Sequence, residues 1–280
     1  CEDDLVKLYV SFDMEGVAGI VDWDQCRPGG LGYPAGCRLL LEEVNAAIDG
    51  AIAGGADEIV CNDAHGLMNN VPIDELHGEA VYIAGRHKPL YMMQGMDPSV
   101  DAVAFVGYHG SISGDSAILS HTYNPSVISR ATLNGVDVGE SGINSLVALA
   151  FEAPIVLVTG DRQTAAELQP WSPMAEAVVV KESISRYSAA SLHPARARAQ
   201  IAAAARLAVE GFADVPLPAV SLPLRLEVEL QDADMADVAT WVKGVERAGR
   251  RRVVIEGDDP LAAYRAFVSI TYITRVASGR

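Results

Sequence analysis

Several short apolar runs in this chain stop at a residue able to bind a cation or move a proton. Val6–Phe12 (VKLYVSF) leads into Asp13, Glu58–Cys61 into Asn62-Asp63, and Ala102–Val106 through Gly107-Tyr108 into His109. Val81–Ala84 and Ile155–Thr159 are runs of the same kind. Between them the apolar spacing becomes helical, as in Gly36–Ala53, which Gly54-Gly55 stops, and in Gly139–Phe151. Strands that alternate with helices join through crossovers, which favours a parallel sheet. The expected fold class is therefore α/β, a mostly parallel sheet with flanking helices. Val81–Ala84 and Ala102–Val106 are expected to be buried strands.

The last third is patterned differently. Pro194–Val209 reads as an Ala/Arg-rich helix, and Pro216, Pro218 and Pro223 punctuate a linker. Leu224–Leu230 (LRLEVEL) alternates like a half-exposed strand. Helix, strand and helix are expected around Trp241, Val253–Ile255 and Leu261–Ile273. The division expected is a catalytic α/β domain over 1–214 and a smaller C-terminal α/β lobe over 215–280.

The chain has 280 residues, half of them hydrophobic, so a sizeable core is available. Its formal net charge is −16. A phosphate backbone or an anionic lipid surface needs a basic footprint, so neither nucleic acid nor membrane is an expected partner. No apolar run approaches the ~20 residues of a membrane span. The four cysteines, Cys1, Cys26, Cys37 and Cys61, form no CxxC pair. Cys26 and Cys37 flank one glycine-rich loop, but reduced thiols in a reducing compartment are the expectation. A start at Cys1 rather than Met reads as a processed or trimmed end.

The chemistry-bearing residues gather where strands end, and open α/β sheets bind ligands outside those carboxyl ends. In Ser11–Gly16 (SFDMEG), extended backbone puts Asp13 and Glu15 on the same side. Two such carboxylates repel unless a cation lies between them, although a lone Asp-x-Glu is ordinarily a solvated turn. His65, after Asn62-Asp63, suits a metal or a polar turn equally. His109 ends an apolar run as a ligand or as a satisfied core histidine. His121, in Leu119–Thr122, is a candidate acid/base or a surface loop residue. Glu140 opens an apolar helix, where an acid also simply favours the helix dipole. Asn134-Gly135 before it signals a hairpin. Asn69 and Asn70 are candidates for ordering the His65 loop. His77, His87 and His193 read as surface residues. No G-x-G-x-x-G follows a strand, and neither a P-loop nor a G-x-S-x-G elbow is present.

Taken together, SFDMEG, NDAHGLMNN from Asn62, GYH from Gly107, Ser120-His121 and VGESGIN from Val138 resemble the DppA-type D-aminopeptidases, a family of zinc metallopeptidases. Gly160-Asp161 and KESISRYSAASLHPA from Lys181 extend the likeness, which runs from about Lys7 to Ala197. The loops Asp22–Ala35 and His109–His121 depart from the family pattern and are expected to line the substrate pocket.

The resemblance implies two Zn²⁺ per subunit. Asp13 would bridge them, with Glu15 and His65 on one ion and His109 and Glu140 on the other. His121 would be the catalytic residue. Such a pair of ions, about 3.5–4 Å apart, polarises an amide carbonyl and makes water acidic. The implied activity is hydrolysis of N-terminal D-amino acids from short peptides, by a cytoplasmic homo-oligomer, a decamer of two stacked rings. Competing expectations are another two-metal amide or phosphoester hydrolase, and a non-catalytic metal- or peptide-binding protein of the same fold.

Overall fold

The computed structural model describes residues 5–78, 80–114 and 117–277. Cys1 lies outside them. The chain runs through β1 (Lys7–Phe12), α1 (Trp23–Cys26), α2 (Tyr33–Ala53), β2 (Glu58–Asp63), β3 (Val81–Ile83) and β4 (Ala102–Tyr108). It continues with β5 (Ile128–Leu133), β6 (Val136–Asp137), α3 (Glu140–Ala150), β7 (Ile155–Asp161), α4 (Arg162–Leu168), β8 (Glu176–Ser185) and β9 (Ser188–Ser191). After α5 (Pro194–Glu210) come β10 (Leu224–Leu230), α6 (Ala233–Ala239), β11 (Val245–Arg247), β12 (Arg252–Gly257) and α7 (Pro260–Ala277).

Among the described residues the strands form two sheets. The larger has the order β3-β2-β1-β4-β7-β8-β9 and is parallel except for the β8–β9 hairpin at its edge. From β1 the chain steps outward through β2 to β3, then returns to place β4 on the other side of β1. The crevice above β1 and β4 is thus a topological switch point, where such sheets bind ligands. Sandwiched strands must be apolar throughout, and β4 is buried at every position. One face of the sheet packs on α2 and α5 around Val10, Phe12, Val44 and Ile201. The other packs against α3, α7 and the second sheet around Phe105, Leu146, Leu226 and Phe267.

The second sheet, ordered β11-β12-β10-β5-β6, is antiparallel. It is not confined to the chain after Val215. It takes β5 and β6 from between His109 and Glu140, so this sheet is built from separate stretches of sequence. The β5–β6 turn is at Asn134-Gly135, with φ of 50° and 83°, the left-handed pair a tight hairpin requires.

Three expectations are corrected. The Val81–Ala84 run forms an edge strand, exposed to half-buried, because no strand covers its outer side. Trp241 lies beyond the end of α6 and is 78% exposed rather than helical. The β8–β9 hairpin lies in a stretch for which no strand was expected. Cys26, Cys37 and Cys61 are free thiols. No helix among the described residues is long and apolar enough to cross a membrane.

Candidate metal centre

β1, β2 and β4 deliver Asp13, Glu15, His65 and His109 to the switch-point crevice. The turn after β1 is seated on the end of β4, with the Asp13 amide donating to the Val106 carbonyl and the Gly16 amide to that of Gly107, both at 2.8 Å. Lys181, buried in β8, donates to the carbonyls of Glu15 (2.5 Å), Val17 (2.8 Å) and Ile20 (2.6 Å). It clamps the loop that carries Glu15. A lysine interrupting a run of valines was the signal for it, and sequence reasoning passed over its role. The chain between His109 and Glu140 leaves for the second sheet and returns with His121 and Glu140. Glu140 does not cap its helix. Its Oε1 accepts from the Tyr123 amide at 2.7 Å and faces the crevice.

The side chains fall into two buried trios: Asp13, Glu15 and His65, and His109, His121 and Glu140. His65 Nδ1 lies 3.1 Å from Asp13 Oδ1 and 2.9 Å from Glu15 Oε2. His109 Nε2 lies 3.4 Å from Asp13 Oδ2 and 3.6 Å from Glu140 Oε1. His121 Nε2 lies 3.8 Å from Glu140 Oε1, and its ring stacks on His109 at 4.3 Å. Asp13 therefore turns one oxygen to each trio.

The imidazoles are oriented by their outer nitrogens. His65 Nε2 donates to the Cys26 carbonyl (2.7 Å), His109 Nδ1 to Gly110 (2.8 Å) and His121 Nδ1 to Leu119 (3.0 Å). A carbonyl only accepts, so in each neutral ring the lone pair belongs to the inner nitrogen. Such back-bonding is how metal-ligating histidines are commonly held. An inner lone pair facing carboxylate oxygens is repulsive without a cation between them. His109 Nε2 is buried and has no hydrogen-bond partner. Mixed imidazole and carboxylate donors at this density fit zinc.

Burial and the close charges shift the pKa values of the cluster in opposite directions. Burial raises the Asp13 carboxyl, helped by the Glu15 charge. Burial also acts on Glu15, but His65 beside it outweighs this and holds it well below the usual range. Burial pushes Glu140 up to about 8. His109 resists burial because Glu140, Glu15 and Asp13 surround it, and rises to about 9. Burial and the neighbouring His109 cation lower His121 to about 3, so its ring stays neutral.

Asp63 is not part of either trio. It accepts from the Asn70 amide (2.6 Å), Asn70 Nδ2 (2.8 Å) and Tyr82 Oη (3.0 Å), and pins the His65 loop. Asn70 thus orders that loop as expected, while Asn69 is exposed. A cavity of about 610 Å³ opens above the trios. Trp23, Arg27 and Pro28 line it, as expected of the Asp22–Ala35 loop. Among the described residues none between Gly110 and Ser120 does. His77 and His193 are exposed, and His87 is exposed but borders the cavity.

A family model for D-aminopeptidases matches residues 6–269. The chain belongs to the D-aminopeptidase family. A D-aminopeptidase of Bacillus subtilis (strain 168) is 33% identical over 268 residues, 95% of this chain and 97% of the relative. The fold matches a solved structure of the Zn-dependent D-aminopeptidase DppA from Bacillus subtilis, a self-compartmentalizing protease. The TM-score is 0.90 at 31% identity, covering 96% of this chain and 98% of that one.

Proposed function

We propose that this family member is a dinuclear zinc aminopeptidase that releases N-terminal D-residues from short peptides. The observation that carries it is the pair of buried trios sharing Asp13, with the outer nitrogen of every imidazole held on a backbone carbonyl. Asp13, Glu15 and His65 would hold one Zn²⁺, and His109 and Glu140, with the second oxygen of Asp13, the other. Bound zinc would polarise the substrate carbonyl and bring the pKa of water towards ~7. Three carboxylates against two Zn²⁺ leave one positive charge for an anionic nucleophile. His121, with Nδ1 held on the Leu119 carbonyl and Nε2 turned inward, is placed to take a proton at that atom and return it to the leaving amine. The cavity above is of a size that suits small ligands.

Metal analysis of protein purified without chelator or histidine tag should return about two zinc ions per chain. His121→Ala should keep both ions and lose hydrolysis of D-aminoacyl amides. Loss of one ion would make His121 a ligand instead. L-aminoacyl amides and phosphoesters serve as the comparison, and faster turnover of either would displace the D-peptide reading. The self-compartmentalizing relative supports extending the proposal to a closed homo-oligomer, a decamer of two rings. Three unbridged thiols fit the cytoplasmic location that belongs to the same proposal.

A further inference from the structure

The cavity over the two trios is also lined by cationic side chains. One wall is a stripe of α7: Val268, Thr271, Tyr272 and Arg275 line it at the i, i+3, i+4, i+7 spacing that shares a helix face. Opposite lies Arg86-His87, after β3. The His87 ring meets that of Tyr272 edge-on at 5.3 Å. Arg86 and Arg275 both act on the Tyr272 phenol, whose pKa burial raises and the two guanidiniums draw back. Tyr91 lines the same cavity. It packs against Tyr272 at 5.4 Å and lies within electrostatic reach of Glu140, Asp13 and Arg86. In a chain of net charge −16, three guanidiniums, of Arg27, Arg86 and Arg275, line a cavity with an acidic floor; Arg27 lies over the Trp23 ring, and Arg86 and Arg275 are the two that share Tyr272.

We propose that Arg86 and Arg275 form a carboxylate site that receives the free C-terminus of a short peptide whose N-terminal end lies over the two trios. The inference rests on the aminopeptidase reading and adds what the far end of the substrate carries. A guanidinium presents a planar fork that pairs with both oxygens of a carboxylate. A cavity of about 610 Å³ is the size that encloses small ligands rather than protein chains. The two arginines thereby select free peptides of a few residues over peptide amides.

The test compares D-alanyl-glycine with D-alanyl-glycinamide, which share a scissile bond and differ only in the terminal charge. The unaltered protein should favour the free acid about tenfold or more in kcat/KM, mainly through KM. The double variant Arg86→Gln, Arg275→Gln should bring that ratio close to one, and Arg86→Lys, Arg275→Lys should restore part of it. Because the readout is a ratio, a general loss of activity does not imitate the result. An unchanged ratio in the glutamine variant overturns the inference and leaves the aminopeptidase reading standing. Calorimetric titration of the His121→Ala protein with the same two peptides reads the preference without turnover. If neither peptide is hydrolysed, the aminopeptidase reading fails by itself, and the calorimetric ratio still decides the carboxylate site. The α-amide of D-alanyl-D-aspartic acid is the third arm. Binding as tight as that of the free dipeptide would assign the site to an acidic side chain instead of the terminus.

Discussion

Glu43 reaches from α2 to the turn behind the metal centre, where one oxygen accepts from the Ala18 amide at 2.9 Å and the other has no partner. Burial moves its pKa from 4.5 to about 7. The folded chain then holds this proton more tightly than the unfolded chain. Its contribution to stability is complete below about pH 4.5 and is lost as pH rises through about 7, an effect of about 3 kcal/mol. Glu43→Gln removes that dependence. In urea titrations at pH 5 and pH 8, the variant should gain on the unaltered protein at the higher pH, and a constant difference would refute the assignment. At this scale the site was legible where chemistry and strand ends coincide. Asp13, Glu15, His65 and His109 each follow an apolar run, so their neighbourhood could be read from local pattern. His121 and Glu140 follow no such run; they were candidates by residue type and context alone until the family likeness joined them to the set. Lys181 was missed because its partners are three backbone carbonyls far away in sequence, which no spacing rule encodes.

The turn after β1 depends on having no side chain at Gly16. A Cβ there would meet the Tyr108 carbonyl oxygen at 1.8 Å, and backbone cannot yield as a flexible side chain can. Gly16→Ala should lift Asp13 and Glu15 off the end of β4, costing about 3 kcal/mol or more. Denaturant midpoints and zinc content read the two effects, and normal values for both would show that the turn adapts. The core elements were legible because buried parallel strands and amphipathic helices carry strong periodic signals. β4 and α3 fall within two residues of their expected ends. The β8–β9 hairpin was not legible, since Ser188–Ser191 has neither apolar alternation nor bulk. The cavity wall on α7 was hidden for another reason. Its stripe of Val268, Thr271, Tyr272 and Arg275 looks like any half-buried helix face until the opposite wall is known.

For the whole molecule, light scattering should give a mass several times that of the 29.6 kDa chain. A monomer would remove the enclosed-chamber reading and leave the two trios untouched. Charge and length said nothing of assembly, which depends on surface shape. The small lobe illustrates the limit of linear reading: its sheet joins strands about a hundred residues apart, β5 with β10. This pairing also orders events during synthesis. His65 and its two carboxylate neighbours follow β1 and β2, which leave the ribosome before β5. His121 and Glu140 flank a hairpin whose partner strand, β10, is translated only after α5. A nascent chain can assemble one half of its metal centre early, but the support for the other half does not exist until the last lobe emerges. Translation itself thus delays the peptidase until the fold around it is complete.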